Sequence, residues 1–343
     1  MANDDKPDRG INRRGFIGRG VFGAGLLALG GSSGFAAQSG SQPNPFAFDL
    51  GKVSQTDPKL IWYEEIRRFA SRTPEPRRIT IGPDGNLYIA GGQQLTVLSP
   101  AGDPVKDFAL GGPAGCVGVT GDGTLYAGVR DHVEVLDKNG SKLNAWEAAG
   151  AKAWFTAIAL GENEVYVADA GSRVVLRYDK SGKLLKKIGE KNKETSVPGL
   201  IVPSPYLDVE LSKDGLLRVN NPGRHRVEIY TTEGELELAW GRPSAAIDGF
   251  CGCCNPVSIA ALPGGGCVTC EKGVPRVKVY SDQGTFECVV AGAEAFPENM
   301  KAGAARRTSD GMMGGLDAAV DKQGRIFSLD LAESTIRVMQ RKA

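Results

Sequence analysis

The stretch Phe155–Gly189, "FTAIALGENEVYVADAGSRVVLRYDKSGKLLKKIG", reads as four short runs of alternating apolar and polar residues parted by turn residues. Alternation of that period is the pattern of half-buried β-strands. The unit recurs along the chain. Earlier copies are "RRITIGPDGNLYIAGGQQLTVLSPAGDPVKDFAL" from Arg77 and "CVGVTGDGTLYAGVRDHVEVLDKNGSKLNAW" from Cys116. Later ones are "YLDVELSKDGLLRVNNPGRHRVEIYTTEGELELAWG" from Tyr206, "NPVSIAALPGGGCVTCEKGVPRVKVYSDQGTFECVV" from Asn255 and "GLDAAVDKQGRIFSLDLAESTIRVMQ" from Gly315.

Turn dipeptides fall at matching places, Asp84-Gly85, Asp122-Gly123 and Asp214-Gly215 in one hairpin, Ala101-Gly102, Asn139-Gly140, Ser181-Gly182, Glu233-Gly234 and Gln283-Gly284 in another. These residue types accept the positive φ of tight hairpins. Six units of four strands predict an all-β, six-bladed β-propeller. The sixth unit ends after its third strand, so "KLIWYEEIRRFA", Lys59–Ala70, is expected to supply the missing outer strand and close the ring. Closure removes the open sheet edges that favour aggregation. Segments between the later units become loops on one face.

The phrase "VYVADAGSRVVLRYDKSGKLLKKIG" and its relatives resemble the NHL repeat, over roughly residues 75–340. The resemblance implies the fold and says little of function, because propellers host many activities. "FCGCCNP" followed by "EKGVPRVKVY" resembles a subgroup of exported bacterial NHL proteins.

The N-terminus carries Asn12-Arg13-Arg14-Gly15-Phe16-Ile17, which resembles a twin-arginine export motif. The mild apolar run "GVFGAGLLALGGSSGFA" after it is too short and too glycine-rich to span a bilayer. Residues 1–36 are therefore expected to be a signal peptide, 37–58 a linker and 59–343 the propeller, with a periplasmic or extracellular location. Residues 1–36 hold five of the 41 basic and three of the 40 acidic residues, leaving 36 against 37. Near-neutral charge gives no electrostatic reason to expect nucleic-acid or anionic-membrane binding. No transmembrane segment is expected in the mature chain; a periplasmic protein partner is.

Polar residues close the second strand of several units: Asp169, Asn220, Glu271 and Asp330, with Gly91 and Val129 at the matching positions. Arg173, Arg226 and Arg276 follow. In NHL-like propellers such acid–arginine pairs tie strands together. The other reading is a ring of oxygen ligands that holds Ca²⁺ for a channel-metal hydrolase. Only two histidines occur, His132 and His225, against the three-histidine zinc cluster of the amidating lyases of this fold.

Five of the seven cysteines gather in C-x-C-C, twelve residues, then C-x-x-C. Cys116 and Cys288 sit in strand-like runs and read as buried apolar residues. "GFCGCCNP", Gly249–Pro256, leads into the fifth blade, and "CVTC", Cys267–Cys270, is that blade's second strand. Strand two runs back toward the loop, so Cys270 is expected beside Cys253 and Cys254. Alternation puts Cys267 on the opposite face.

The expected set is Cys251, Cys253, Cys254 and Cys270, with Glu271 close by. Four thiolates suit Cu(I), Zn²⁺ or an iron–sulfur cluster. The spacing differs from the C-x₂-C pairs of zinc ribbons. A structural disulfide from Cys270 to Cys253 or Cys254, and a redox-active dithiol whose pKa Lys272 and Arg276 lower, stand beside the metal reading. The functional expectation is thus an exported propeller with a metal or redox site on blade five, in electron transfer or metal handling. The alternative is a non-catalytic protein- or glycan-binding scaffold.

Overall fold

Four-stranded antiparallel sheets, six in number, form the ring that the repeats predict. The computed structural model describes residue 51 and residues 54–194, 196–296 and 314–343. The expected signal peptide and most of the linker lie outside the described residues, as do residues 297–313 between the fifth and sixth units, Met312 and Met313 among them. Among the described residues no helix is long and apolar enough to cross a membrane.

Blade three shows the common plan, with strands Phe155–Leu160, Glu164–Asp169, Val174–Asp179 and Leu184–Ile188 in that order from the axis outward. The first strand of each blade touches that of the next, and the last blade's touches the first's. Burial follows radius. The second strands are wholly buried in five blades, because both their faces meet neighbouring blades. The outer strand Lys142–Ala145 is exposed throughout, Leu143 included.

Ring closure is as expected. Tyr63–Ala70 pairs antiparallel with Thr335–Arg341, from Tyr63 opposite Arg341 to Ala70 opposite Thr335. The strand begins four residues later than the sequence suggests, because Pro58–Leu60 forms a 3-10 turn capped by the Asp57 carboxylate.

The third-to-fourth strand turns also join blade to blade. Gly102, Gly140, Gly182 and Gly284 each lie under an aromatic ring from the outer strand region of the preceding blade: Phe69, Phe108, Trp146 and Trp240 in turn. Each of these glycines has positive φ. The close approach needs the missing side chain as much as the backbone angle does.

At the axis a charged cluster replaces apolar packing. The Arg78 guanidinium, from blade one, pairs with Asp208 of blade four and with Asp317 of blade six, the latter at 3.2 Å. The other carboxylate oxygens accept the Ile259 N–H and the Ile79 N–H, both at 2.7 Å, and the Asp317 oxygen facing Arg78 also accepts the Ser258 hydroxyl at 2.5 Å. Buried charge is tolerable only when paired and hydrogen-bonded in this way.

Gly284→Ala would set a Cβ 2.1 Å from the Trp240 ring at φ +79°, whereas Gly215→Ala, at φ +78°, meets open space. The Gly215 variant is expected to lose about 1 kcal/mol from the backbone alone, and the Gly284 variant ~1–3 kcal/mol more from overpacking. Urea unfolding checks this. Equal losses in the two variants would show that the ring–glycine contact does not join the blades.

Candidate functional site

The lead-in loop of blade five is held by an unusual set of buried charges. Glu271, at the end of the strand Cys267–Glu271, pairs with Arg276 at 3.0 Å and with Lys278 at 2.7 Å. All three are essentially without solvent contact. Two cations to one carboxylate leave donors over, and loop carbonyls accept them. Lys278 donates to the carbonyls of Ile247 and Gly249, and Arg276 to that of Ala245. Glu271 in turn accepts the N–H of Cys251 at 3.0 Å. Burial, ahead of Glu271's opposing charge, pushes the Lys278 ammonium down to about 8.

Beyond Cys251 two more anchors fix the loop. The Nε2–H of His225 donates to the Gly252 carbonyl at 2.6 Å. Asn255 donates to the carbonyls of Cys251 and Lys272 and accepts the Lys272 N–H at 2.9 Å. The cysteines between these anchors therefore have fixed neighbours.

Cys253 Sγ and Cys254 Sγ lie 3.2 Å apart. Their surroundings differ sharply. Cys253 is exposed, while Cys254 is buried at 3 %. The Ser204 hydroxyl donates to Cys254 Sγ at 3.3 Å, and the Lys272 ammonium donates to Ser204 Oγ at 3.1 Å. Burial on its own would raise the Cys254 thiol, but Ser204, Lys272 and Cys253 together outweigh it and hold the thiol below its ordinary value. The Cys253 thiol is raised, first by its hydrogen bond to Cys254. Of the two thiols, Cys254 is therefore the one that ionises first and Cys253 the one that holds its proton longer.

The other expected ligands do not join them. The backbone of Cys270 does come back to the loop, where its carbonyl accepts the Val257 N–H at 2.8 Å. Its side chain, however, lies in the core cluster shared with Leu316 and Ala318 of blade six. Cys254 instead turns to Ser204, ahead of blade four. Cys270 is fully buried, and burial pushes its thiol well above the ordinary value, the opposite of what a thiolate ligand requires. Cys267 packs with Val227, Ile229 and Trp240 of blade four, on the other face as alternation implies. Glu271 is committed to its two cations and the Cys251 N–H. The four-thiolate set with Glu271 thus does not fit a metal or cluster, and among the described residues no group of three or more His, Cys, Asp or Glu is placed to hold a metal ion. Cys116 and Cys288 are buried in the core, and burial raises their thiols to about 12 and about 11.

The acid–arginine expectation holds for Glu271 and Arg276 and changes elsewhere. Arg226 pairs with Glu228 of its own strand. Asp169 accepts the N–H groups of Trp154, Gly171 and Ser172, and Asp330 those of Ala332 and Glu333. Asn220 bridges Asp208, Tyr206 and Pro256 backbone groups. These positions hold turns and blade junctions through backbone groups.

Through Ser204 the thiol pair is linked to a second feature. A pocket of about 320 Å³ opens at the axis, with residues from the first-strand region of all six blades around it. Arg78 and Asp317 line it. Pro205 and Tyr206, next in the chain after Ser204, line its wall, and Lys272 lies over the Tyr206 ring at 4.3 Å. Ser204 and the axial Arg78 are the participants that sequence reasoning missed. Ser204 lies 50 residues from Cys254, in the segment between the third and fourth units.

No family model matches the chain, and no curated protein matches it. Solved structures do. A streptogramin B lyase structure shares 16 % identity at TM-score 0.55, over 82 % of this chain and 99 % of that one. Selenomethionine-substituted virginiamycin B lyase from Staphylococcus aureus shares 13 % at TM-score 0.54, over 82 % and 100 %. At such identity the likeness shows the six-bladed propeller fold alone.

Near the axis Glu210 is half-buried by surface yet enclosed by the ring, and burial pushes its carboxyl up from 4.5 to about 7, with Arg78 opposing and Asp317 adding. A raised carboxyl favours folding fully below the unfolded value and loses that contribution as pH rises through about 7. Glu210→Gln is therefore expected to match wild type near pH 4 and to gain on it by pH 8. The gain is on the order of 1–2 kcal/mol, since channel solvent screens part of the shift. Urea unfolding at the two pH values measures the difference; a pH-independent difference would contradict the raised carboxyl.

Proposed function

We propose that this protein is an exported propeller whose blade-five loop exchanges disulfides through Cys253 and Cys254. The observation that carries the reading is the 3.2 Å approach of two sulfurs in unequal settings, one exposed and one buried beside Ser204 and Lys272. Adjacent Cα atoms are ~3.8 Å apart across a trans peptide, less than the usual ~4.4–6.8 Å span of a disulfide. A bridge between neighbours is therefore readily reduced, which suits exchange better than permanent stapling.

The chemistry follows from the asymmetry. In the oxidised form an external thiolate attacks the exposed Cys253 Sγ. The Cys253–Cys254 bond breaks, and Cys254 leaves as a thiolate that Ser204 and Lys272 stabilise. A second thiolate then attacks the external sulfur of the mixed disulfide and releases Cys253, which takes up a proton. Two thiols have become one disulfide, and the pair has gained two electrons. A low leaving-group pKa speeds the first step and favours the reduced pair, so the site acts as an oxidant of thiols. A disulfide-bearing partner of higher potential restores the bridge by the reverse exchange.

Equilibration with glutathione redox buffers tests this. The wild-type chain is expected to gain and lose two hydrogens per molecule, read by mass after thiol trapping. Cys254→Ser should abolish the two-electron step and leave a mixed disulfide on Cys253, while Cys251→Ser should preserve it. Lys272→Met should move the thiolate absorbance titration to higher pH. A wild-type chain whose thiol count stays constant across the buffers would overturn the reading.

A further inference from the structure

Ser204 links the thiol pair to the axial pocket, which the next residues Pro205 and Tyr206 line, and the charges around them select a ligand. The position after the second strand faces the mouth in several blades: Gly92, Arg130 and Leu331 all line it. In blade five the same position is Lys272, one residue after the strand end Glu271, as Arg130 follows Val129. Blades two and five stand opposite each other in a ring of six. Arg130 lines the pocket and Lys272 lies over its wall residue Tyr206, so two cations flank the mouth from opposite blades.

With Cys253 and Cys254 oxidised, these cations are not neutralised at the site. Among the described residues neither Arg130 nor Lys272 has a carboxylate in ion-pair range; Lys272 meets the Ser204 hydroxyl, the Tyr206 ring and the Cys254 sulfur, which bears no charge when the pair is oxidised. The acidic residues at the pocket are already committed. Asp317 is bound to Arg78, Ser258 and the Ile79 N–H, and Glu75 stands 4.0 Å from Arg77. Arg130 is exposed and its backbone is held at φ +52°, with its N–H on the Pro113 carbonyl, so the rim beneath it is fixed. Trp154 and Tyr206 give the walls an apolar lining. A cavity of about 320 Å³ is at the small end of ligand pockets and holds a compound of roughly tripeptide size.

We infer that the axial pocket binds a small acidic thiol, a carboxylate-bearing compound of about tripeptide size, and presents its sulfur to Cys253. The inference rests on the exchange reading for its chemistry and on the Arg130–Lys272 charge pair for its selectivity. Carboxylates at the two ends of the ligand meet the two cations, and its stem lies along Trp154 and Tyr206. Its thiolate then makes the attack on Cys253 Sγ described above, with Cys254 leaving.

The experiment uses the full chain with Cys253 and Cys254 oxidised, reduced in stopped flow by glutathione or by uncharged 2-mercaptoethanol. At equal thiolate concentration glutathione is expected to react at least tenfold faster, with a rate that saturates. The advantage should shrink with added salt. Arg130→Glu and Trp154→Ala should each cut the glutathione-to-mercaptoethanol rate ratio at least tenfold. If mercaptoethanol reduces the pair but glutathione shows neither saturation nor advantage, the substrate inference is wrong and the exchange reading stands. If neither reagent reduces the pair, the exchange reading fails. Calorimetry with S-methylglutathione, which cannot exchange, then decides the pocket separately on the wild-type chain. Saturable, salt-sensitive binding supports an acidic-peptide site there, and no binding overturns it.

Discussion

One guanidinium at the axis sets the geometry on which the upper face depends. Arg78 reaches from blade one to carboxylates of blades four and six, and those carboxylates take backbone N–H groups of blades one and five. Four of six blades meet at this point. An ion pair of this kind gives little net stability against an apolar plug, because desolvation offsets most of the Coulomb gain. What it does supply is orientation. A guanidinium fork fits two carboxylates in few ways, whereas apolar side chains at an axis can slide and repack. Arg78 and Asp317 are also pocket lining, so the contact that fixes the blades also shapes the pocket.

Blade five solves a related problem differently. Its lead-in loop is long, and loops ordinarily lie in water because their backbone groups need partners. Here the partners are Arg276 and Lys278, buried beneath the loop with Glu271 between them. The Lys278 ammonium also lies over the Phe250 and Tyr280 rings at 4.6 and 5.3 Å. Carbonyls, a carboxylate and two ring faces together replace the water it gives up. The loop is thereby held from below, and Cys253 and Cys254 sit on a rigid rim although the segment has no regular structure.

The architecture was legible because it is written six times. A turn glycine or an alternating run is weak evidence alone, but repetition in register leaves few folds open, and even the closing strand before the first unit could be located. The cysteine site was half legible, for a definite reason. Period-two alternation separates Cys267 from Cys270 onto two faces, and the structure agrees. It does not say which neighbouring blade each face meets. Cys270 turns toward blade six and Cys254 toward the loop before blade four, so backbone proximity did not bring their sulfurs together. Ser204 and Arg78 carry no local signal at all. Their roles arise from pairings across blades, where separations of 50 and 130 residues leave no trace in sequence spacing.

The thiol pair shows how modest interactions accumulate into a functional bias. Burial of Cys254 opposes its thiolate, and a single hydroxyl donor would not reverse that. The reversal is the sum of three contributions: the Ser204 hydrogen bond, the Lys272 charge behind it, and the hydrogen bond of the neighbouring Cys253 thiol. Each arrives from a different element, respectively the loop before blade four, the turn after blade five's second strand, and the cysteine loop itself. Exposure is divided in the complementary sense, since the sulfur that solvent reaches is the one whose partner can best leave as a thiolate. Were both sulfurs exposed, either could be attacked and neither would be favoured as leaving group. Were both buried, desolvation would protonate both. The propeller's contribution is therefore to set one sulfur inside the protein and its neighbour outside, a distinction that a flexible "CGCC" segment in water could not maintain.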